Sequence, residues 1–150
     1  MSTSSDPRAY PDRPILAVSA AIIRDGRVFI ARRARGPALG VWTMPGGVVE
    51  AGETLIEALT REIHEETSMT IEPVALAGHR EVVVRDQAGG IQRHFVILCF
   101  ASRWLAGEVA LNEELDEARW LRPTELTGLK TTEGLDTIVA AAFEKMAAVV

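Results

Sequence analysis

The sequence predicts an α/β fold in which a mixed β-sheet lies between helices, an α/β/α sandwich. Strand-like apolar runs occur both before and after a central amphipathic helix, and a second amphipathic helix closes the chain. The chain has 150 residues with 47% hydrophobic content, enough to bury one substantial core but too few for a second domain. We therefore predict one domain over residues 15–150.

The first fourteen residues, MSTSSDPRAYPDRP, differ from the rest in composition. They are rich in serine, proline and charged residues and show no hydrophobic periodicity. Such a segment cannot bury enough apolar surface to fold by itself. We predict a flexible or extended arm over residues 1–14, which could also pack on a partner subunit and so leaves a homodimer open.

Two strand-like runs follow the arm, at residues 15–23 and 27–33. Both are apolar and β-branched, and Asp25-Gly26 lies between them. Asp-Gly is a strong signal for a tight hairpin turn because both of its residues tolerate a positive φ. The two runs are predicted to be adjacent strands.

A glycine-containing loop and the central helix come next, within residues 45–69. Thr54 and Glu57 have capping-box spacing, which predicts a helix beginning near Leu55. At about 100° per residue, two stripes lie side by side along this helix. The apolar stripe contains Leu59, Ile63 and Ile56, and the acidic stripe contains Glu62, Glu66 and, further round, Glu65.

The acidic stripe and the preceding loop together predict a metal site. Glu62 and Glu66 are an i,i+4 pair of like charges, which destabilises a helix unless a positive group lies between them. Pro45-Gly46-Gly47 is predicted to turn tightly and to leave carbonyls free, with Glu53 close by. Oxygen ligands without His or Cys suit Mg²⁺ or Mn²⁺, and Mg²⁺ sites of this kind bind phosphorylated substrates.

The remaining elements complete the sandwich. Residues 70–86 and 91–104 read as two strands around a loop that contains Gly89-Gly90. Residues 105–121 begin as an acidic loop and end as a short strand anchored by Trp120. A short helix is predicted at residues 123–126. The C-terminal helix then presents the apolar stripe Leu135, Ile138, Val139, Ala142 and Met146 to the sheet.

Composition excludes several classes of protein. The formal net charge of −5 provides no basic excess for binding a nucleic-acid polymer, although single nucleotides remain possible partners. Cys99 is the only cysteine and lies in an apolar run, so we predict a buried thiol in a reducing compartment. No apolar run reaches transmembrane length and no hydrophobic signal core begins the chain. The predicted location is cytoplasmic.

The central stretch resembles the Nudix box, G-x5-E-x7-R-E-U-x-E-E-x-G-U with U aliphatic. The matching residues are Gly47, Glu53, Arg61, Glu62, Ile63, Glu65, Glu66 and Met69. Ser68 departs from the pattern, because the box has a glycine there that ends the helix. The resemblance implies the same α/β/α sandwich and the hydrolysis of a nucleoside diphosphate linked to another moiety.

The resemblance also implies roles for individual residues. Glu62, Glu65 and Glu66 are expected to bind the metal with the Gly47 carbonyl, and Arg61 to fix the glutamates as an ion-pair partner. Glu53 is expected to be a nearby ligand or an orienting residue. A further glutamate from the acidic loop is expected to complete the metal site or act as base. Glu114 matches best by its distance from Trp120, with Glu113 and Glu117 as alternatives. Coupled carboxylates leave the base unassigned between Glu114 and Glu62.

The substrate is less closely defined by the sequence. The run FIARRAR resembles MutT-type members of the family and points to Arg33 in the nucleotide pocket, the alternative being a solvated charge at the end of the strand. Trp42 either stacks on a base or lies in the core. No substrate-specific signature follows the box, so an ADP-ribose-type sugar nucleotide and a (deoxy)nucleoside triphosphate are both open. The alternative is a noncatalytic Nudix-fold module that senses a nucleotide. Its eroded carboxylates or added domain are not found in this sequence.

Overall fold

The computed structural model describes residues 6–36 and 38–149. Within these residues the chain forms seven strands, two α-helices and one short 3₁₀-helix. The strands are β1 Ile15–Arg24, β2 Arg27–Arg33, β3 Trp42–Thr43, β4 Gly46–Val48, β5 Thr70–Arg85, β6 Ile91–Ala106 and β7 Leu115–Leu121. The helices are α1 Leu55–Thr67, the 3₁₀-helix Pro123–Leu126 and α2 Leu135–Ala148. None of the helices described is long and apolar enough to cross a membrane.

The seven strands form one mixed sheet. Its main order is β3-β2-β1-β6-β5, with β4 paired to β1 and β7 paired to β2. β1 and β6 run parallel, whereas the other paired strands run antiparallel. β1 can pair with β2, β4 and β6 because β2 and β4 meet different parts of it. The predicted mixed sheet is confirmed.

Alternation along the strands sends side chains into two separate cores. In β1, Val18, Ala20 and Ile22 belong to the cluster that contains Ala58, Leu59 and Ile63 of α1. Ala21 belongs to the opposite cluster, which contains Leu135, Ile138, Val139 and Ala142 of α2. Successive strand residues point to opposite faces, so the sheet is covered by one helix on each side. This is the predicted α/β/α sandwich.

The two predicted hairpins are present. β1 and β2 pair antiparallel around Asp25 and Gly26, whose φ values of 51° and 75° are those that a tight primed turn requires. β5 and β6 pair along most of their length. Their loop closes through Asp86, whose N–H donates to the Gly90 carbonyl and whose carboxylate accepts from the N–H groups of Ala88 and Gly90.

α1 begins as predicted, but one residue of its predicted apolar stripe is exposed. Thr54 and Glu57 form both bonds of the capping box. Ile56, however, is 45% exposed, so its assignment to the buried stripe is wrong. The fully buried residues of α1 are Ala58, Leu59, Ile63 and Thr67, whereas Ile56 lies exposed in the first turn. Glu62 and Glu66 are half-buried beside this face, as the predicted neighbouring stripe requires, and Glu65 is exposed.

Ser68 ends α1 in the left-handed conformation that the family pattern gives to glycine. Its φ is 70° and its ψ is 5°, and its N–H donates to the His64 carbonyl. This conformation costs a residue with a Cβ about 1–2 kcal/mol, whereas glycine adopts it freely. The departure from the box is thus accommodated by a strained serine.

We expect Ser68→Gly to raise the free energy of unfolding by about 0.5–1 kcal/mol, the relief of strain less the greater entropy of an unfolded glycine. Urea denaturation measures the change. Ser68→Ala is the matched control, because alanine keeps the Cβ and should not stabilise the protein. Equal stability of the glycine and alanine variants would contradict this account of Ser68.

Two short strands were not predicted. Gly46 and Gly47 lie in β4 with no positive φ, so the predicted tight turn at Pro45-Gly46-Gly47 is wrong. The glycines serve close approach instead. A Cβ on Gly46 would lie 2.0 Å from the Val18 carbonyl oxygen, and a Cβ on Gly47 would lie 2.2 Å from the Glu62 carboxyl. β3 joins the edge of the sheet by pairing with β2.

The described part of the predicted arm lies against the β5–β6 hairpin. The Tyr10 hydroxyl donates to Asp86 at 2.9 Å, and the Tyr10 N–H donates to the Gln92 carbonyl. Arg93 pairs with Asp6 at 2.7 Å. Residues 1–5 of the arm lie outside the described residues, and the flexibility of the arm stays a prediction. The possible homodimer also stays a prediction.

Candidate active site

Acidic side chains from α1 and from the loop before β7 line one cavity. The cavity measures about 370 Å³ and is bordered by Glu62, Glu65, Glu66, Asn112, Glu113 and Glu114. The helix contributes three of these carboxylates, from positions 62, 65 and 66 in its last turns. The loop supplies the facing wall. The predicted metal ligands of the helix and the predicted additional glutamate therefore share one site, although they are some fifty residues apart in sequence.

Arg61 is the centre of an ion-pair network beside this cavity. Its guanidinium binds Glu53 through two bonds, Nε to Oε2 at 2.6 Å and Nη2 to Oε1 at 2.8 Å. Its Nη1 reaches Glu62 at 3.0 Å and Glu65 at 3.2 Å, and its Nη2 also donates to the Val48 carbonyl. Bidentate binding fixes the guanidinium plane, so Arg61 orients two cavity carboxylates. This is the geometry expected of the predicted ion-pair partner.

Glu53 is fully engaged by its neighbours. Besides both bonds from Arg61, its Oε1 accepts the Glu50 N–H at 2.9 Å. The hydrogen bonds from Arg61, followed by that from Glu50, lower the pKa of Glu53 to about 2. Of the two predicted roles, ligand or orienting residue, this arrangement favours the orienting one. Glu53 holds Arg61, and Arg61 holds the glutamates of the cavity.

Glu62 lies against the backbone of β4. Its side chain is 17% exposed, and burial raises its pKa, opposed mainly by the hydrogen bond from Arg61. The absence of a Cβ at Gly47 makes room for its carboxyl. The first glycine of the box is therefore needed for the placing of Glu62.

Glu66 has the most perturbed carboxyl of the site. Burial is the largest cause, and the negative charges of Glu114 and Glu62 add to it, so that the pKa of Glu66 rises to about 7. The Arg33 charge and the Gly46 N–H act in the opposite direction without offsetting the burial. A partly buried carboxylate next to two others is a group that a bound cation would stabilise.

The raised pKa of Glu66 predicts how stability of the metal-free protein depends on pH. The folded state binds this proton up to about pH 7, whereas the unfolded chain releases it near the ordinary value of 4.5. The contribution of Glu66 therefore lowers the free energy of unfolding as the pH rises from about 4.5 to about 7, by up to about 3 kcal/mol at about 1.4 kcal/mol per pKa unit. In urea denaturation without metal, the free energy of unfolding of Glu66→Gln should rise relative to that of the wild type between about pH 5 and about pH 8. A stability difference independent of pH would contradict it.

The register of β4 changes which carbonyl is available to a ligand. The Ala20 N–H donates to the Pro45 carbonyl, and the Val49 N–H donates to the Leu16 carbonyl. Hydrogen-bonded pairs alternate in an antiparallel ladder, so Gly47 opposite Val18 uses its carbonyl within the sheet. Gly46 directs its N–H and carbonyl away from β1, and its N–H acts on Glu66. Of the two carbonyls, that of Gly47 is used within the sheet and that of Gly46 is directed away from β1; the metal role of the Gly47 carbonyl stays a prediction that this register disfavours.

The three candidate glutamates of the acidic loop differ in whether they face the cavity. Glu114 and Glu113 border the cavity, but Glu113 pairs with Arg35 at 3.0 Å. Glu117 lies on β7 and pairs with Arg119 at 2.8 Å, away from the cavity. Glu114 is the candidate that faces the helix carboxylates, because its charge raises the pKa of Glu66.

Arg33 and Trp42, the two predicted substrate-binding residues, lie in different surroundings. Arg33 follows Phe29 and Ala31 on the face of β2 that is directed at α1, and its charge acts on Glu66. Trp42 is 5% exposed in the cluster on the α2 side, with Arg119 over its ring at 4.7 Å. Its predicted stacking on a base is corrected, since the ring is covered. Its alternative role in the core agrees with the structure.

Sequence reasoning missed Asn112 at this site. Its side chain bonds the Glu66 carbonyl and the N–H groups of Glu114 and Leu115. The spacing offered a signal, because an asparagine two residues before Glu114 can accept that residue's N–H in an Asx turn. The bond to Glu66 depends on the fold and had no local signal.

The donor set fits a hard divalent cation that retains water. Within residues 6–36 and 38–149, no three His, Cys, Asp or Glu side chains form a cluster that could hold a metal ion by themselves. All of the charged donors that border the cavity are carboxylates. Mg²⁺ binds through one or two carboxylates, several waters and substrate phosphates, so it does not need a closed protein cage.

Comparison with known proteins identifies the class. A family model described as NUDIX domain matches residues 13–142, so the chain belongs to this family and the predicted family is confirmed. The chain is 33% identical over 107 residues to an ADP-ribose pyrophosphatase of Methanocaldococcus jannaschii, covering 71% of this chain and 61% of that protein, less than two thirds of its length. It is also 33% identical over 126 residues to a MutT-like protein of Streptomyces ambofaciens, covering 82% of this chain and 75% of that one.

A solved structure gives the same class. The crystal structure of the MutT NUDIX hydrolase from Burkholderia pseudomallei superposes with a TM-score of 0.75 at 27% identity. The match covers 87% of this chain and 98% of that chain. The similarity therefore extends over nearly the whole domain described above.

Proposed function

We propose that the protein is a Mg²⁺-dependent Nudix hydrolase, with Mn²⁺ as a possible substitute, that cleaves the diphosphate linkage of a nucleoside diphosphate derivative. The observation that carries the proposal is the meeting of Glu62, Glu65 and Glu66 with Glu114 around one cavity. These four carboxylates repel one another, and Arg61, which bonds Glu62 and Glu65, offsets only part of that repulsion, so a metal cation would stabilise the site further. A diphosphate is itself anionic, so it can enter such a cavity only together with cations.

Each residue of the site has a proposed role in binding the metal or the substrate. Glu62, Glu65 and Glu66 would hold the metal, helped by the Gly46 carbonyl. When bound, the ions would neutralise the diphosphate, lower the pKa of a bound water and stabilise the leaving oxygen. Arg61, itself held by Glu53, keeps Glu62 and Glu65 in place through its hydrogen bonds to them. The general base stays open between Glu62 and Glu114, and Arg33 supplies positive charge beside Glu66.

Two substrate classes remain in the proposal. An ADP-ribose-type sugar nucleotide is supported by the relative from M. jannaschii. A (deoxy)nucleoside triphosphate is supported by a nucleoside triphosphatase of Enterobacter sp. that is 34% identical over 104 residues. Arg33 suits either, because a guanidinium binds phosphate oxygens through two parallel bonds. The proposed location is the cytoplasm.

The test is a panel assay on the purified protein with Mg²⁺. ADP-ribose, dGTP, other nucleoside triphosphates and sugar nucleotides are incubated separately, and cleavage of the phosphoric anhydride bond is scored by chromatography. Cleavage that needs Mg²⁺ supports the proposal and ranks the substrates. Binding of ADP-ribose without cleavage of any panel member would overturn it in favour of the noncatalytic sensor.

A further inference from the structure

We propose that Asn112 is a positioning residue that sets the place of Glu114 relative to Glu66 and thereby the affinity of the cavity for a divalent cation. The inference rests on the proposed function of the cavity as a metal site. It goes beyond that function because Asn112 carries no charge and lies outside the box. Its importance follows from three hydrogen bonds.

One side-chain amide joins the two walls of the cavity. The Nδ2 of Asn112 donates to the main-chain carbonyl of Glu66 at 2.9 Å. Its Oδ1 accepts the N–H of Glu114 at 2.8 Å and the N–H of Leu115 at 3.1 Å. The amide nitrogen thus donates and the amide oxygen accepts, so both ends of the side chain are hydrogen-bonded. The backbones of Glu66 and Glu114 are thus linked through a single residue.

The loop that carries Asn112 packs against the C-terminal end of α1. The last carbonyls of a helix have no partner within the helix, so they need donors from elsewhere. The Ala110 N–H supplies Thr67 at 3.1 Å, and the Asn112 amide supplies Glu66. Gly107 touches the turn that follows, where an added Cβ would lie 2.6 Å from the Ser68 oxygen. These contacts therefore fix the position of the loop relative to the helix that carries the proposed metal ligands.

Glu114 is held on both sides of its own backbone. Its N–H donates to Asn112, and its carbonyl accepts the Ala34 N–H at 2.7 Å, directly after Arg33. Its side chain is exposed and borders the cavity. The two main-chain bonds fix the position of the Glu114 backbone and the direction of its Cα–Cβ bond, and so the space that its carboxylate can reach.

Repulsion explains why such a link is needed. Without a cation, Glu114 faces other carboxylates of like charge across the cavity, and like charges at short range push the loop away from the helix. The three bonds of Asn112 oppose that movement before the cation arrives. A preformed site then binds the cation without the cost of ordering the loop.

A Mn²⁺ titration of the metal-free full chain tests the inference without turnover. Calorimetry compares the wild type, Asn112→Ala, Glu114→Gln and the double variant. Loss of a residue that orients a ligand weakens metal binding by about 10–100-fold, and we expect about tenfold for each single variant. The double variant should bind no more weakly than Glu114→Gln alone, because Asn112 acts through Glu114.

Glu108→Gln is the matched control on the same loop. Glu108 pairs with Arg24 at 3.2 Å on the surface, and such pairs contribute little. Its Mn²⁺ affinity should equal that of the wild type. Weakening equal to that of Asn112→Ala would show that general loop order, not this link, is responsible, and would overturn the inference.

Other outcomes also decide the matter. Additive effects in the double variant, or unchanged affinity in Asn112→Ala or Glu114→Gln, would overturn the inference while leaving the proposed hydrolase activity intact. A wild type that binds Mn²⁺ but cleaves no nucleotide would overturn the proposed function, and the titration would still decide the role of Asn112. A wild type that does not bind Mn²⁺ would overturn both.

Discussion

Glu66→Gln is expected to abolish Mg²⁺-dependent hydrolysis, with a loss in kcat on the order of 10³-fold or more, and to leave the fold intact. Glutamine has nearly the shape of glutamate, so the helix and its packing are kept. The substitution removes the partly buried carboxyl group of Glu66, whose pKa is raised to about 7 by burial and by neighbouring carboxylates. Without that carboxylate, the cavity loses a negatively charged ligand for the cation, so the cation binds more weakly. Steady-state kinetics and circular dichroism measure the two parts of this prediction.

Glu57→Gln on the same helix is the control for this loss. Glu57 belongs to the capping box and does not border the cavity. Its variant should lose some stability, because one bond of the cap is weakened, and keep its turnover. Near-normal turnover of Glu66→Gln in Mg²⁺ would refute the assignment of Glu66 as a metal ligand.

Local chemistry made the start of α1 and the two hairpins predictable. The capping box needs only residues 54 and 57, and the first hairpin turn needs only Asp25 and Gly26. Interactions of this range are encoded within a few positions and do not depend on the rest of the fold. The box glutamates Glu62, Glu65 and Glu66 also lie on one helix, so their placement on one side of it followed from helical geometry.

Features that depend on distant chain segments were not predictable in the same way. β3 and β4 have two and three residues, too few for a hydrophobic period to show. Trp42 was ambiguous because only the packing of α2 shows which side of the sheet covers its ring. Ile56 fits the stripe by angle, but its exposure depends on how far the sheet extends beneath the first turn of α1.

Adjacent glycines in β4 are expected to fail in different ways when each is replaced by alanine. A Cβ on Gly46 would meet Val18 backbone atoms, with the carbonyl oxygen at 2.0 Å, and this backbone is held in the sheet between β4 and β6. We expect Gly46→Ala to lose about 3 kcal/mol of stability or more, as in severe overpacking. Urea denaturation, or insoluble expression if the variant does not fold, measures the effect.

Gly47→Ala meets a side chain instead of a backbone. The added Cβ would lie 2.2 Å from the Glu62 carboxyl, which can move where a strand cannot. Stability should change by about 1 kcal/mol or less, while displacement of Glu62 by about 1 Å should lower kcat by about 100-fold. Gly78→Ala is the matched strand control, because its Cβ would make only an ordinary contact of 3.5 Å with Ile138. If both β4 variants lost stability equally, or if Gly47→Ala kept full turnover, the first glycine of the box would not be serving the carboxylate beside it.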